Sequence, residues 1–313
     1  MSSTKKTKPV MPDFKNIQVS TKTVIAQTNA SYDIQKLYEK LPVSDYIVVK
    51  KRRGRRKNTI VEDPNKDLPS GSIITLKYFD NVKGVVRKAK KKKGKFFRNA
   101  VSIVMKVMDK FVNFKLSKNG KFQMTGVKTN KHAVECVKHL WKHILDLGDH
   151  TLVALKSDKL RVTFKVVMTN VDFSLGFLVN RSNLDRFFNS HTEYNSLLET
   201  SFGYTGVNIK FPSQECPYKE LMIHEMTITD NFTPDSAQTW TETKISFDDY
   251  LETLTEVDRN KELTKKRYNT FLVFHSGNVI MSGALRSHMQ GPYYQFLQIV
   301  KECRSEIEEK LEE

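Results

Sequence analysis

Three groups of residues have types and spacings that could do chemistry. Cys136, His139 and His143 form a C-x2-H-x3-H set whose thiol and imidazoles could hold a zinc ion from a helix. Asp248 and Asp249 open an acidic tract that runs on through Glu252, Glu256, Asp258 and Glu262, and paired carboxylates of this kind serve two-metal nucleases. Lys50 to Lys57 (Lys-Lys-Arg-Arg-Gly-Arg-Arg-Lys) and Arg87 to Lys95 are dense cation runs suited to phosphate. The zinc set is weakened by Lys131, His132, Lys138 and Lys142, a basic solvated face that would repel a cation. The acids have no partners on well-defined core strands, so a nuclease centre is not expected, nor is any cofactor or metal. The cation runs stay open between solvated loops, a nuclear-import signal and direct contact with nucleic acid.

Charge is divided unevenly along the 313 residues. The first 150 carry 34 Lys+Arg against 12 Asp+Glu, and the remainder 18 against 23, so a net +17 is the balance of a strongly basic half and a mildly acidic one. Such polarisation fits a polyphosphate partner, because each neutralised phosphate releases condensed counterions. An acidic membrane surface is the rival, but no helix with a strongly apolar face accompanies the basic runs, and no stretch has the length and apolarity of a membrane span. The polar start lacks the apolar core of a signal peptide, so an intracellular protein is expected. Cys136, Cys216 and Cys303 are far apart and odd in number, which points to reduced thiols.

These groups need elements to hold them, and the elements come twice. Asn113 to Val127 (Asn-Phe-Lys-Leu-Ser-Lys-Asn-Gly-Lys-Phe-Gln-Met-Thr-Gly-Val) aligns without a gap on Thr270 to Ala284 (Thr-Phe-Leu-Val-Phe-His-Ser-Gly-Asn-Val-Ile-Met-Ser-Gly-Ala). Each predicts a β-hairpin turning at its first glycine. An amphipathic helix follows each: Ala133, Val137, Leu140, Trp141, Ile144 and Leu145 after the first, and Phe296, Leu297, Val300, Cys303, Ile307 and Leu311 after the second. Strands around Thr21 to Val24 and Phe164 to Val167 lead into short helices over Ser31 to Leu41 and Asn180 to Ser190. Further strands are expected over Ser72 to Phe79, Ala100 to Val107 and Val207 to Phe211. The expected organisation is a basic tail over 1–13, a first repeat over 14–150 with a basic insertion at about 45–95, and a second over 151–313 with a partly acidic insertion at about 212–265. Charge blocks such as these inserts usually form solvated loops.

A duplicated unit with a hairpin of this form resembles the TATA-box-binding protein family. The best match is Phe274-His275-Ser276-Gly277 through Ser282-Gly283-Ala284, supported by Thr125-Gly126-Val127-Lys128 and by Tyr204 to Lys210. The resemblance covers most of the chain outside the tail and insertions, and the size and divergence are similar to homologues of large DNA viruses. It implies an α+β fold: a duplicated saddle, a curved antiparallel sheet whose concave face lies in the minor groove, with long helices on the convex face. It further implies minor-groove binding and bending in transcription initiation, without catalysis. The partners implied are double-stranded DNA, a general transcription factor (TFIIB-like) and RNA polymerase, with no membrane. The setting implied is the nucleus, or a viral factory or virion in the host cytoplasm.

Carried over by position, Phe274 is the wedge that unstacks a base step, with Tyr204 or Phe202 as its companion. Leu272, Ile280 and Ser282 share its side of the hairpin by period-two alternation, and Thr125 is the first-repeat counterpart of Ser282. Thr21 and Val166 belong to the upstream strands, and Lys106 and Lys210 match phosphate-contacting positions. The chain departs from the family in four places. Ser117 stands opposite Phe274 in the alignment, unless a one-residue slip brings in Leu116. The first-repeat companion falls near Ala100, with Phe96 and Phe97 as substitutes. The family's central asparagines are replaced by Thr21 and Phe164. Bending is therefore expected to come mainly from the second repeat. Phe274 as a plain core residue is the competing account. Two other functions compete: a substrate module of a nucleic-acid-processing enzyme, since some bacterial ribonucleases H carry a similar half-saddle, and a protein-interaction saddle that has lost DNA binding.

Overall fold

The computed structural model describes residues 12–48, 63–85, 99–191, 193–199, 205–213, 215–228 and 239–309. In chain order the elements are β1 (Val19–Thr28), β2 (Ala30–Tyr32), α1 (Ile34–Lys40), β3 (Ile73–Tyr78), β4 (Asn81–Gly84), β5 (Ala100–Val107), β6 (Lys110–Ser117), β7 (Lys121–Val127) and α2 (Asn130–Asp146). Then follow β8 (Val153–Leu155), β9 (Lys159–Ser174), α3 (Arg181–Asn189), β10 (Asn195–Glu199), β11 (Gly206–Ser213), β12 (Glu220–Thr227) and β13 (Trp240–Ser246). The last are α4 (Phe247–Glu252), α5 (Glu256–Thr264), β14 (Arg267–Phe274), β15 (Asn278–Gly283), α6 (Gln290–Glu302) and α7 (Arg304–Ile307). The fold is α+β with antiparallel strand pairing.

Two units emerge, each assembled from separated stretches. The first contains residues 23–165 and 221–245, and the second residues 1–22, 166–220 and 246–313. In the first, strands run β1-β7-β6-β5-β3-β4. Apolar alternation on β5, β6 and β7 buries Val101, Ile103, Met105, Phe114, Leu116, Phe122 and Met124 on one face. The stripe of α2 meets that core: Ala133, Val137, Leu140, Trp141 and Ile144 are all buried, and Tyr32 sets its ring edge-on to both Phe122 and Trp141. Thr129 caps the helix by accepting from the His132 amide.

In the second unit the order is β10-β11-β14-β15-β9, with β9 contributing from Val166 onward. Val207, Ile209, Phe211, Phe271, Val273, Val279, Met281, Val171 and Phe173 form one buried face. Phe296 of α6 stacks on Phe271 with ring centroids 4.2 Å apart, and Phe188 of α3 stacks on Phe296 at 6.2 Å. Phe14 joins this core against Tyr293 at 5.3 Å.

The two hairpins repeat each other residue for residue. Asn113↔Thr125, Lys115↔Gln123 and Leu116↔Phe122 in the first correspond to Thr270↔Ser282, Leu272↔Ile280 and Val273↔Val279 in the second. Gly120 and Gly277 both adopt φ +77°, and a Cβ on either would meet a carbonyl oxygen, that of Ala30 at 2.3 Å or of Phe177 at 2.1 Å. Glycine is required there on both counts.

The acidic insertion is not a loop. It folds as β12, β13, α4 and α5, and its acids sit where helices favour them. Ser246 accepts from the Asp249 amide and Thr255 from the Asp258 amide, which places Asp248, Asp249, Glu256 and Asp258 in first turns beside the positive end of the helix dipole. Phe247 and Leu251 anchor α4 by burial. The basic stretch 49–62 and all of Arg87 to Lys95 lie outside the described residues, as does Leu311.

Candidate nucleic-acid interface

Because one face of each sheet carries the core, strand alternation turns the other face outward. In the second unit this face is built of cross-strand rows. One runs Asn208, Leu272, Ile280, Asp172 across β11, β14, β15 and β9. The next runs Lys210, Thr270, Ser282, Asn170 across the same strands. Phe274 ends β14 opposite Gly206. Leu272, Phe274, Ile280 and Ser282 are each half-buried, in phase with one another and out of phase with buried Phe271, Val273, Val279 and Met281. The structure therefore takes Phe274 off the core side of its strand. Gly206 makes room here, since a Cβ on it would lie 2.8 Å from Leu272 Cδ1.

Thr21 reaches this face as well. Its hydroxyl accepts from Asn170 Nδ2 at 3.2 Å, and Ser20 Oγ donates to the Asn170 carbonyl at 3.1 Å. The side-chain oxygen of Asn170 is shut off from solvent, so it offers no acceptor to a ligand. Lys210 is exposed, its ammonium 5.9 Å from the centre of the Tyr268 ring, a cation–π pair at the edge of the face. Val166 is half-buried, and its carbonyl accepts from the Tyr218 hydroxyl at 2.7 Å; burial raises the pKa of that phenol. Tyr204, Phe202, Phe97 and Phe96 lie outside the described residues.

The first unit's outward face has the same geometry and different chemistry. Its rows run Lys77, Ser102, Lys115, Gln123 and Thr75, Val104, Asn113, Thr125 across β3, β5, β6 and β7. Thr125 is exposed and its hydroxyl donates to the Asn113 carbonyl at 3.3 Å. Lys106 points the same way from β5, but its ammonium donates to the carbonyls of Asn65 and Lys66 at 3.4 and 3.1 Å. By strand register the counterpart of Lys210 is Val104, so Lys106 and Lys210 do not occupy equivalent positions. Ser117 is half-buried opposite Ala100, whereas Leu116 is fully buried. The slip that would offer Leu116 as a wedge is not adopted, because it would pull a core side chain into water.

Phe164, aligned with a central asparagine, turns to the core. It is buried opposite Met222 of β12, with the His224 ring edge-on at 5.3 Å. His224 is itself buried, and burial holds its pKa below the ordinary histidine range despite Glu242 at 3.6 Å. Asn170 and Asp172 were missed because the strand was expected to be short; the alternation Val171, Phe173, Leu175 is the signal that extends it.

The Cys136, His139, His143 set is spent on structure. Cys136 is buried in the core, His139 Nε2 lies 2.8 Å from Ser70 Oγ, and His143 Nε2 lies 2.8 Å from the Gly71 carbonyl. Among the described residues no three His, Cys, Asp or Glu side chains are grouped to hold a metal ion. All three cysteines are free thiols. Among the described residues no helix is long and apolar enough to cross a membrane.

No protein-family model matches the chain. It is 24% identical over 304 residues to the uncharacterized protein 335L of Invertebrate iridescent virus 6, a match that covers 95% of this chain and 87% of the viral protein. Among solved structures it is similar to the Methanococcus jannaschii TBP, with a TM-score of 0.42 and 13% identity, over 93% of this chain and 99% of that one.

Proposed function

We propose that the chain binds double-stranded DNA in the minor groove through its outward sheet faces and bends it, as a TATA-box-binding-like factor of transcription initiation that catalyses no reaction. The observation that carries this is the second unit's face, where an apolar pair, Leu272 and Ile280, is flanked by the hydroxyls of Thr270 and Ser282, with Phe274 at the strand end. The A·T minor groove presents few polar groups, so an apolar pair flanked by small hydroxyls suits it, and an aromatic ring at its margin suits a base step opened by bending. The excess of cations in the first 150 residues supplies attraction to phosphate. The saddle form with helices on the convex side, the TFIIB-like and polymerase partners, and action in the nucleus or a viral factory belong to the same proposal and rest on the resemblance of the Phe274 to Ala284 motif.

The test is a duplex labelled with a dye at each end and titrated with the full chain. Binding should compete with a drug that fills the minor groove and should draw the dyes together. Phe274→Ala should remove most of the bend and weaken affinity, whereas Ser117→Ala should change neither. A bend untouched by Phe274→Ala, or binding indifferent to the drug, would overturn the proposal.

A further inference from the structure

The two hairpins superpose in register, which makes their outward side chains directly comparable and exposes a difference that sequence similarity hides. Where the second unit has Leu272 opposite Ile280, the first has Lys115 opposite Gln123. Where the second has Thr270 opposite Ser282, the first has Asn113 opposite Thr125. Across the row the contrast continues at the far strand: Lys77, Ser102, Lys115 and Gln123 on β3, β5, β6 and β7 stand where the second unit has Leu197, Asn208, Leu272 and Ile280 on β10, β11, β14 and β15. Asn113, Gln123 and Thr125 are exposed. The buried sides show no such divergence, since Phe114 and Met124 match Phe271 and Met281. The two units thus share hairpin and core, while the outward pair at the centre of the hairpin is polar and cationic in the first and apolar in the second.

Resting on the proposed minor-groove binding, we infer that the two faces take different base pairs: the second unit's face requires A·T, and the first unit's face accepts G·C. The distinction comes from one group. In the minor groove A·T and T·A present only acceptors, and G·C adds the guanine 2-amino donor. Against Leu272 and Ile280 that amino group would be desolvated and neither side chain could receive its hydrogen, and an unmet buried donor is costly. Against Gln123 and Asn113 it meets amide oxygens, while the amide nitrogens and the Lys115 ammonium serve the base acceptors. Asp172 is exposed beside Ile280, one strand from the apolar pair; the restriction is assigned to the pair.

Inosine isolates the group, because an I·C pair is a G·C pair without the 2-amino. Duplexes carrying a single I·C or G·C pair at each position in turn are titrated with the full chain. One stretch of the site should favour inosine over guanine by at least about fivefold, and another should treat them alike within about twofold. The double variant Lys115→Leu with Gln123→Ile should make the tolerant stretch discriminate, and Gln123→Leu alone, at an exposed position, should do so in part. Asp172→Asn should leave the discriminating stretch as it was. Equal discrimination along the whole site, or a profile that the Lys115 and Gln123 substitutions leave unchanged, would overturn this inference alone. A chain that binds none of the duplexes would overturn the minor-groove proposal, and this inference with it.

Discussion

Phe271 and Leu272 are consecutive residues of one strand and should fail in opposite ways. Phe271 is completely buried, stacked on Phe296 at 4.2 Å and against Phe211 at 5.0 Å. Phe271→Ala removes a ring from a close-packed site, which costs about 3–5 kcal/mol. At about 2–4 °C per kcal/mol for a unit of this size, the melting midpoint should fall by roughly 6–20 °C. Leu272 is half-buried on the outward face, so Leu272→Ala forfeits only part of a side chain's transfer energy, on the order of 1 kcal/mol or less. Its effect should instead appear in duplex affinity, because less apolar surface would then face the groove. Thermal melting by circular dichroism and a duplex titration on the same preparations read both quantities. If Leu272→Ala lowered the midpoint as far as Phe271→Ala, the face would be covered in solution, and the distinction between a core side and a binding side would collapse.

Three further outcomes are expected. Gly277→Ala should destabilise the second unit by more than about 1–2 kcal/mol, since the left-handed backbone alone costs that much in an L-residue and its Cβ would lie 2.1 Å from the Phe177 carbonyl oxygen; a melting midpoint equal to that of the wild type would refute the turn geometry. The unfolded chain binds a proton at His224 more readily than the folded one, so stability should be full above about pH 6.5 and fall as pH drops below it. His224→Phe should flatten that fall in melting curves recorded between pH 7 and 5, and an unchanged slope would mean the ring is hydrated. Replacing the cations of Lys50 to Lys57 with neutral residues should reduce the slope of log affinity against log salt by up to about 0.9 for each phosphate they neutralise; a constant slope would remove them from the DNA.

What could be seen in advance followed the reach of the interactions. The hairpins were legible because a turn with positive φ demands glycine and flanking strands demand alternation, both local requirements written at Gly120 and Gly277. The stripe of α2 was legible for the same reason. The insertion was misjudged because its charges were weighed and its caps were not: Ser246 three residues before Asp249 and Thr255 three before Asp258 are helix starts readable without any structure. That β12 would pair with the first half of β9 and turn Phe164 inward depends on partners about 60 residues apart, and no local pattern announces such pairing. On the outward faces, alternation correctly grouped Leu272, Phe274, Ile280 and Ser282. The contrast between Leu272 with Ile280 and Lys115 with Gln123 was present in the ungapped alignment and gained meaning only once strand register showed both pairs to be directly opposed.

The composition of the second unit from residues 1–22, 166–220 and 246–313 sets the order in which the chain can finish folding during synthesis. The Tyr293 hydroxyl donates to the Pro12 carbonyl, a bond between residues 281 positions apart, and Phe14 has its aromatic partner in the same tyrosine. A ribosome adding about 5–20 residues per second needs roughly a quarter of a minute to a minute to cover that span. Throughout it the first strand's approach, with Phe14 and Ile17 destined for the core, has no docking site. The first unit also waits, since β12 and β13 come from residues 221–245. Neither unit can close while the chain is half made, so shielding of those early apolar residues by chaperones or by the ribosome surface becomes a condition of yield, and rapid overexpression should favour aggregates over soluble protein.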